Sequence, residues 1–521
     1  MFQDIINQLA PSSLFVLSTT VLLLHLLSNK YLTGLNHLPG PFFAGFSDFY
    51  RFFVVWGRRP EQWHIKLHEQ FGDFVRIGPR TVICSSNKAA KKIYALNGGF
   101  IKSDFYPVQQ TLARGQRLKT LFTSTDEVFH AKLRRAVSNA YAMSTLIQFE
   151  PLVDSTTIEF ISQMRKRAEG APGFEIVDFG KWLQFYAFDV ICELTYSKRM
   201  GFVDYGEDRE NIISDLEWLL NYAAIIGQVP ILDSFLLKNP IRRWISARGW
   251  LPGTPVAQFA MRRIAENEAR DDAKTTENTS ADTRARRDFL SRFQEAHKKD
   301  PDFIGNDRVL ALTVANMFAG SDTTAISFRT IFYNLIKNPE KLAKLQAELY
   351  DMEKKGVLDT DSPVVRWNDV RELPYLGAVI NESLRTHPAA GLPLERITPA
   401  GGTIVCDTVL PAGTNVGCSA WTLHRDTHVW GEDVEQWRPE RWLEATEEKK
   451  AEMKNSLFSF GAGARTCIGK NISYLEMYKL VPAVLRSFEI KLAYPDKEWK
   501  LHNAWFVKQS DFFVRLRMKG K

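Results

Sequence analysis

The chain has little cysteine. Five stand in 521 residues: Cys84, Cys192, Cys406, Cys418 and Cys467. The number is odd, the spacings are wide and no C-x-x-C pair exists, which argues against a structural zinc site and fits a reducing compartment with free thiols. No run of lysine and arginine is interleaved with aromatics, so no nucleic-acid groove is expected. The net charge of +7 is mildly basic and suits an acidic protein partner or a membrane surface. The N-terminus lacks both the basic stretch and the small-residue cleavage site of a removable signal peptide. No internal repeat is present. What remains is ordinary globular composition, 45% hydrophobic and 24% charged, on a chain long enough for a large core.

Residues 12–32 read SSLFVLSTTVLLLHLLSNKYL. Ser18, Thr19, Thr20 and His25 interrupt the apolar run, but hydroxyls bonded back to a helix leave about 20 residues able to span a bilayer. Asp4 precedes the segment and Lys30 follows it, which predicts a single-pass anchor with the rest of the chain in the cytosol. A buried core helix or an amphipathic surface helix is the alternative. HLPGPFFAG follows at 37–45, and Pro39-Gly40-Pro41 cannot continue a helix, so it reads as a hinge. The expected division is an anchor with hinge over residues 1–37 and a catalytic body over 38–521.

Helical patterns dominate the body. FVRIG (74–78) and TVIC (81–84) read as a small strand pair, and 129–148 and 181–196 as helices. The charged stretch 268–287 has no aromatic and reads as a solvated loop. Residues 307–337 form a long helix, apolar nearly all round and therefore buried, with Pro339 beyond its end. Its centre holds Gly320, Ser321, Asp322, Thr323 and Thr324, which cost free energy in a buried helix unless they are satisfied. A kinked core helix with locally bonded threonines would explain them; so would a functional site. Glu382 and Arg385 are three apart on one helical face and can pair. Residues 403–418 look like hairpins, and WRPERWL (437–443) sets Arg441 among aromatics.

FGAGARTCIG (460–469) places one cysteine among three glycines and an arginine. A thiolate is the competent metal ligand, and it needs positive potential and N–H donors to exist at neutral pH. Gly461, Gly463 and Gly469 allow a tight turn and close backbone approach around Cys467. Arg465 suits a carboxylate on the same cofactor. A single thiolate with an open opposite side suits haem iron. Other single-cysteine chemistries need a base such as histidine nearby, which the sequence does not place.

FGAGARTCIG resembles in full the haem-binding loop of the cytochrome P450 haem-thiolate monooxygenases, F-x-x-G-x-R-x-C-x-G. AGSDTT (319–324) is similar to their distal-helix motif, ESLR (382–385) to their E-x-x-R pair, PERW (439–442) to the motif whose arginine joins that pair, and HAKLRR (130–135) to the helix that reaches the haem carboxylates. Such motifs in family order are specific, and the resemblance covers about residues 38–515. KSDFY (102–106), GLPLERITPAGG (391–402) and NAWFVKQ (503–509) resemble fungal microsomal members such as pisatin demethylase and benzoate para-hydroxylase.

The resemblance implies a mainly α fold with small β-sheets, preceded by a transmembrane helix, and a haem b cofactor. Cys467 would be the axial iron ligand, with Phe460 and Gly461 beside it. Arg465, Arg396, His130 and Arg134 would face the haem propionates; many members carry tryptophan where His130 stands. Glu382, Arg385 and Arg441 would form a buried structural triad. Thr323 and Asp322 would deliver protons, and Ala319 and Gly320 would leave space for dioxygen. Phe105, Ala315, Phe318, Ala319, Leu392 and Phe506 would line an apolar substrate pocket.

The implied activity is hydroxylation or demethylation of a small hydrophobic substrate in fungal secondary metabolism. Electrons would come from a separate NADPH–cytochrome P450 reductase, with cytochrome b5 as an accessory donor, because no flavin domain follows the haem loop. Lys132 and Arg135 are candidate docking residues. The implied location is the endoplasmic reticulum membrane. Oxidative coupling, ring closure, desaturation, detoxification, and a non-catalytic haem sensor are the competing readings.

Overall fold

The computed structural model describes residues 11–113, 115–169, 175–251, 253–277 and 288–519. Helix α1 (Pro11–Tyr31) is exposed along most of its length, and its Ser13–Tyr31 stretch has mean hydropathy 1.3 with none of it buried. Ser18 and Thr20 donate to the carbonyls of Phe15 and Val16, so the hydroxyls are satisfied inside the helix. Residues 1–10, which belong to the predicted anchor region, lie outside the described residues.

The segment after α1 corrects one expectation. Pro39-Gly40-Pro41 is a docked seam rather than a hinge. Pro39 O accepts the Arg76 amide at 2.8 Å, and a Cβ on Gly40 would lie 2.2 Å from Arg76 O. The Arg76 guanidinium, 3% exposed, donates to Asn29 O, Lys30 O and Thr33 Oγ1.

The body follows with α2 (Phe49–Trp56), β1 (Phe74–Arg76), β2 (Thr81–Cys84), β3 (Ile101–Lys102), α3 (Glu127–Val137), α4 (Glu150–Glu169), β4 (Glu175–Asp178) and α5 (Phe179–Tyr196). Then come α6 (Ile212–Ile226), α7 (Pro255–Glu277), α8 (Phe289–Lys299), α9 (Asn306–Lys337), α10 (Pro374–Thr386), β5 (Arg396–Ile397), β6 (Asn415–Cys418) and α11 (Lys470–Ser487). Strands β7 (Phe488–Leu492), β8 (Lys500–Ala504), β9 (Phe506–Ser510) and β10 (Phe513–Met518) close the chain. Further helices, among them Pro60–Phe71 and Pro339–Lys354, 3-10 turns and two further hairpins fill the connections.

Helices α4, α5, α9 and α11 pack together at the centre. Helix α5 is buried along nearly its whole length and α9 along most of it, as their all-round apolar sequences require. A five-stranded sheet, in the order β1-β2-β6-β5-β3, lies beside this bundle. The predicted β1–β2 pair is antiparallel, and β6 joins β2 in parallel. Strand β10 pairs with β7 and β4, and β8 pairs with β9 as a hairpin.

Two predicted elements differ. The helix expected over 129–148 ends at Val137, turns through a 3-10 stretch at Ser138–Tyr141 and restarts at Met143. Asn139 O accepts the Ala142 amide and the Thr145 hydroxyl, and these local bonds replace the helical ladder. The loop expected over 268–287 is helical as far as Glu277; residues 278–287 lie outside the described residues.

Candidate functional site

The loop from Phe460 to Gly469 ends where α11 begins. Gly461 and Gly463 have φ of +65° and +67°, and a Cβ on Gly463 would sit 1.8 Å from Tyr94 O. That position admits only glycine. The Cys467 amide donates to Phe460 O at 2.9 Å and fixes the turn. Arg134 Nη1 donates to Thr466 O at 2.9 Å, which joins α3 to the loop. Cys467 is exposed, yet burial raises its thiol pKa above the ordinary value. The sulfur thus keeps accessible surface while it sits in a densely surrounded part of the fold. The amides of Gly469 and Lys470 and the charge of Arg134 favour the thiolate. Among the described residues no cluster of three histidines, cysteines or carboxylates could hold a metal, so this sulfur would act alone.

Helix α9 borders the same interior, because Thr324 Oγ1 lies 3.2 Å from Ser473 Oγ at the start of α11. Ala319 is exposed in the middle of this core helix, and Ala315, Phe318 and Thr323 are half-buried. Thr323 Oγ1 donates to Ala319 O at 2.6 Å. Gly320 does something other than leave space for a ligand. A Cβ there would lie 2.8 Å from Ile191 Cγ1, so its glycine lets α5 and α9 approach. Asp322 points away from Thr323's partner and accepts from Gln184 of α5.

A cluster of cations gathers beside the loop. Arg396 is buried and donates to Tyr106 Oη at 3.3 Å and Glu395 O at 2.9 Å. Arg465 pairs with Glu127 at 2.7 Å. His130 is buried; burial, then the charges of Arg465, Lys102, Arg134 and Arg396, push its pKa down to about 3, so the ring is neutral. Lys102 is buried over the Tyr106 and Phe122 rings, 4.1 and 4.3 Å from their centroids. Burial, followed by Arg396 and Arg465, holds its pKa well below the ordinary lysine range. Arg134, Arg396 and Arg465 therefore bring three guanidinium charges to one carboxylate, Glu127, with Lys102 beside them. That excess of positive charge fits a cofactor bearing two carboxylates, and the accessible thiol fits its metal. The residues present thus suit haem.

The sequence reading missed Lys102, Tyr106 and Glu127. The first two stand in the KSDFY stretch, and Glu127 is three residues before His130 on α3.

On α10, Arg385 grips Glu382 with two bonds of 2.7 and 2.9 Å, with both side chains buried. Arg441 Nε lies 3.3 Å from the same carboxylate, and Trp442 Nε1 and the Arg438 amide complete it at 3.0 Å each. Arg385 also caps His424 O, Val434 O and Gln436 O. The three predicted residues are therefore joined in one buried network.

The predicted pocket residues divide. Phe105 and Leu392 are packed in the core, with Phe105 5.0 Å from the Trp505 ring. Ala315, Phe318, Ala319 and Phe506 keep accessible surface. Phe506 bridges to Ala390 from the β8–β9 hairpin. Its neighbour Trp505 has φ of +77°, a costly conformation for a bulky residue, and no sequence signal announced it.

Comparison with known proteins gives concordant matches. The sequence profile of the family described as cytochrome P450 matches residues 44–513. A cytochrome P450 monooxygenase of Aspergillus terreus is 42% identical over 490 residues, covering 94% of this chain and 97% of its own. Cytochrome P450 monooxygenase cicH of Emericella nidulans is 41% identical, covering 93% and 94%. Cytochrome P450 monooxygenase mpaDE of Penicillium roqueforti is 37% identical over 94% of this chain but only 56% of its own length.

Proposed function

Because the chain belongs to the cytochrome P450 family, we propose that this monooxygenase hydroxylates or demethylates a small hydrophobic substrate, with electrons from NADPH through a separate reductase. The enzyme is an oxidoreductase of the monooxygenase class, and its family implies a haem cofactor and a redox partner. When bound, a thiolate-ligated haem supplies dioxygen activation and O–O bond cleavage.

In this reading Cys467 holds the iron of haem b, and Arg134, Arg396, Arg465, His130 and Lys102 receive the propionates. Thr323 holds a donor at the cavity and Asp322 relays protons to it. Ala315, Phe318, Ala319 and Phe506 supply apolar contact to the substrate. Glu382, Arg385 and Arg441 hold the side of the molecule that carries the cysteine loop. Helix α1 anchors the enzyme in the endoplasmic reticulum membrane, with the body in the cytosol and cytochrome b5 as an accessory donor. Fungal secondary metabolism is the proposed setting.

The observation that carries the reading is the single accessible thiol of the Phe460–Gly469 loop beside a cation-rich cluster. The test is product mass from membranes containing the protein, a fungal reductase and NADPH, with phenolic, polyketide and terpenoid candidates. Gain of one oxygen supports hydroxylation, and formaldehyde release supports demethylation. Loss of two hydrogens or a dimer mass replaces the proposal with desaturation or coupling. The variant Cys467→Ser is expected to lose the thiolate signature in the carbon monoxide difference spectrum.

A further inference from the structure

Asp322 is 3% exposed, yet no cation forms an ion pair with it among the described residues. Its Oδ1 accepts from Gln184 Nε2 at 2.5 Å. Its Oδ2 has no hydrogen-bond partner among the described residues. On the other side of the same amide, Gln184 Oε1 accepts from Arg329 Nη2 at 3.0 Å. Arg329 is 1% exposed, spends two further bonds on Gly180 O at 2.8 and 2.9 Å, and leaves Nη1 buried without a partner. A buried carboxylate and a buried guanidinium thus stand one amide apart and do not touch.

We propose that Gln184 is a positioning residue for Asp322: its amide holds one carboxylate oxygen, leaves the other free for a water, and keeps Arg329 from closing a direct ion pair. The proposal rests on the reading of Asp322 as a proton carrier. A direct arginine pair would hold the carboxyl strongly ionised and make it a poor acid near neutral pH. A neutral amide donor ties the same oxygen with a smaller bias toward the charged form. The groups facing Asp322 are Gln184 from α5, Arg329 from α9, Glu217 from α6 and Lys508 from β9; Arg329 in turn faces Asp178. Burial is the largest influence and raises the carboxyl pKa; Lys508, Arg329 and the Gln184 bond lower it and Glu217 raises it. Lys508 and Glu217 form an ion pair with partial exposure, which places a solvent-facing charged pair on the outer side of Asp322.

The experiment is infrared titration of the Asp322 carboxyl in the intact haem-loaded protein, with the band assigned by Asp322→Asn. It needs no turnover. Gln184→Arg is expected to move the midpoint down by at least one pH unit, and Gln184→Leu to move it up. Gln184→Glu, the near-isosteric variant, guards against a packing defect in the other two. Retention of the thiolate spectrum reports folding in each. Midpoints equal to the parent in all folded variants overturn the proposal. The pH profile of product formed per NADPH consumed is measured alongside. If the midpoint moves while Asp322→Asn keeps full coupling, the catalytic reading of Asp322 fails and the tether stands. If Asp322→Asn uncouples the enzyme but the midpoint ignores Gln184, the tether fails and the reading stands.

Discussion

Glu382 collects five donor contacts from Arg385, Arg438, Arg441 and Trp442, and it is fully buried. Replacing it by glutamine removes the carboxylate paired with the buried Arg385 guanidinium, while Arg441 keeps Asp433 at 2.6 Å, and uncompensated buried charge costs about 3–5 kcal/mol. Glu382→Gln is therefore expected to lower the yield of folded, haem-loaded protein severely, as read by the carbon monoxide spectrum per mole of chain. Three buried histidines set a second expectation. Burial, as the first cause, lowers His64 to about 3, His387 to about 4 and His424 to about 3. The unfolded chain binds protons at these positions below about pH 6.5, and the folded one does not. Stability is full above that pH and is lost as pH falls toward the folded values. Each histidine costs on the order of 2 kcal/mol at pH 5. The unfolding midpoint in urea is expected to drop between pH 7 and pH 5; a flat profile would contradict the buried, neutral state of these rings.

Among the elements, the segment 230–238 after α6 is latched to the loop before α3. Lys238 Nζ donates to Val108 O at 2.7 Å and pairs with Asp233 at 2.8 Å, and Asp233 also accepts from Tyr222 at 2.9 Å. Lys238 and Asp233 are both buried. Lys238→Met leaves Asp233 with Tyr222 and the more distant Arg117, so local opening should become easier by about 3 kcal/mol. The measurement is amide hydrogen exchange, expected to rise roughly 100-fold over 230–238 and 106–110, with little change in α9. This latch shows where sequence reading stops. Helix α9 was legible because its apolar residues run all round and Pro339 bounds it. The Glu382–Arg385 pair was legible because helix geometry sets three-residue neighbours. Cys467 was legible from its glycine setting. Lys238 with Val108, Gln184 with Asp322, and Gly320 against Ile191 join residues more than a hundred positions apart, and no local period encodes such meetings. The family resemblance places Gly320 beside dioxygen, yet its Cβ position is taken by α5. The break after Val137 was missed because Asn139 bonds locally in a stretch that otherwise suits a helix.

For the molecule as a whole, the boundary between anchor and body decides where the chain can be cut. The proposed anchoring role of the exposed apolar helix α1 predicts that its removal releases the protein from membranes, but the body does not begin at the proline seam. Arg76 is buried and donates to Asn29 O, Lys30 O and Thr33 Oγ1 at 2.7 to 3.0 Å. Leu35 is fully buried in a cluster with Val405 and Leu410. A chain starting at Asn29 keeps all of these contacts; one starting at Phe42 loses them all. The second leaves Arg76 with only Gly78 O and Pro79 O from its side-chain partners. Losing the Leu35 side chain costs about 2 kcal/mol and the stripped guanidinium bonds about as much again. Both chains are expected in the supernatant after high-speed sedimentation at high salt. The chain starting at Asn29 should match the parent's urea midpoint, and the chain starting at Phe42 should unfold earlier by roughly 3–4 kcal/mol. Equal midpoints would mean that the proline seam is a true hinge and that the contacts of Arg76 and Leu35 add nothing; an early midpoint for the shorter chain places the start of the folded body at the last turn of α1.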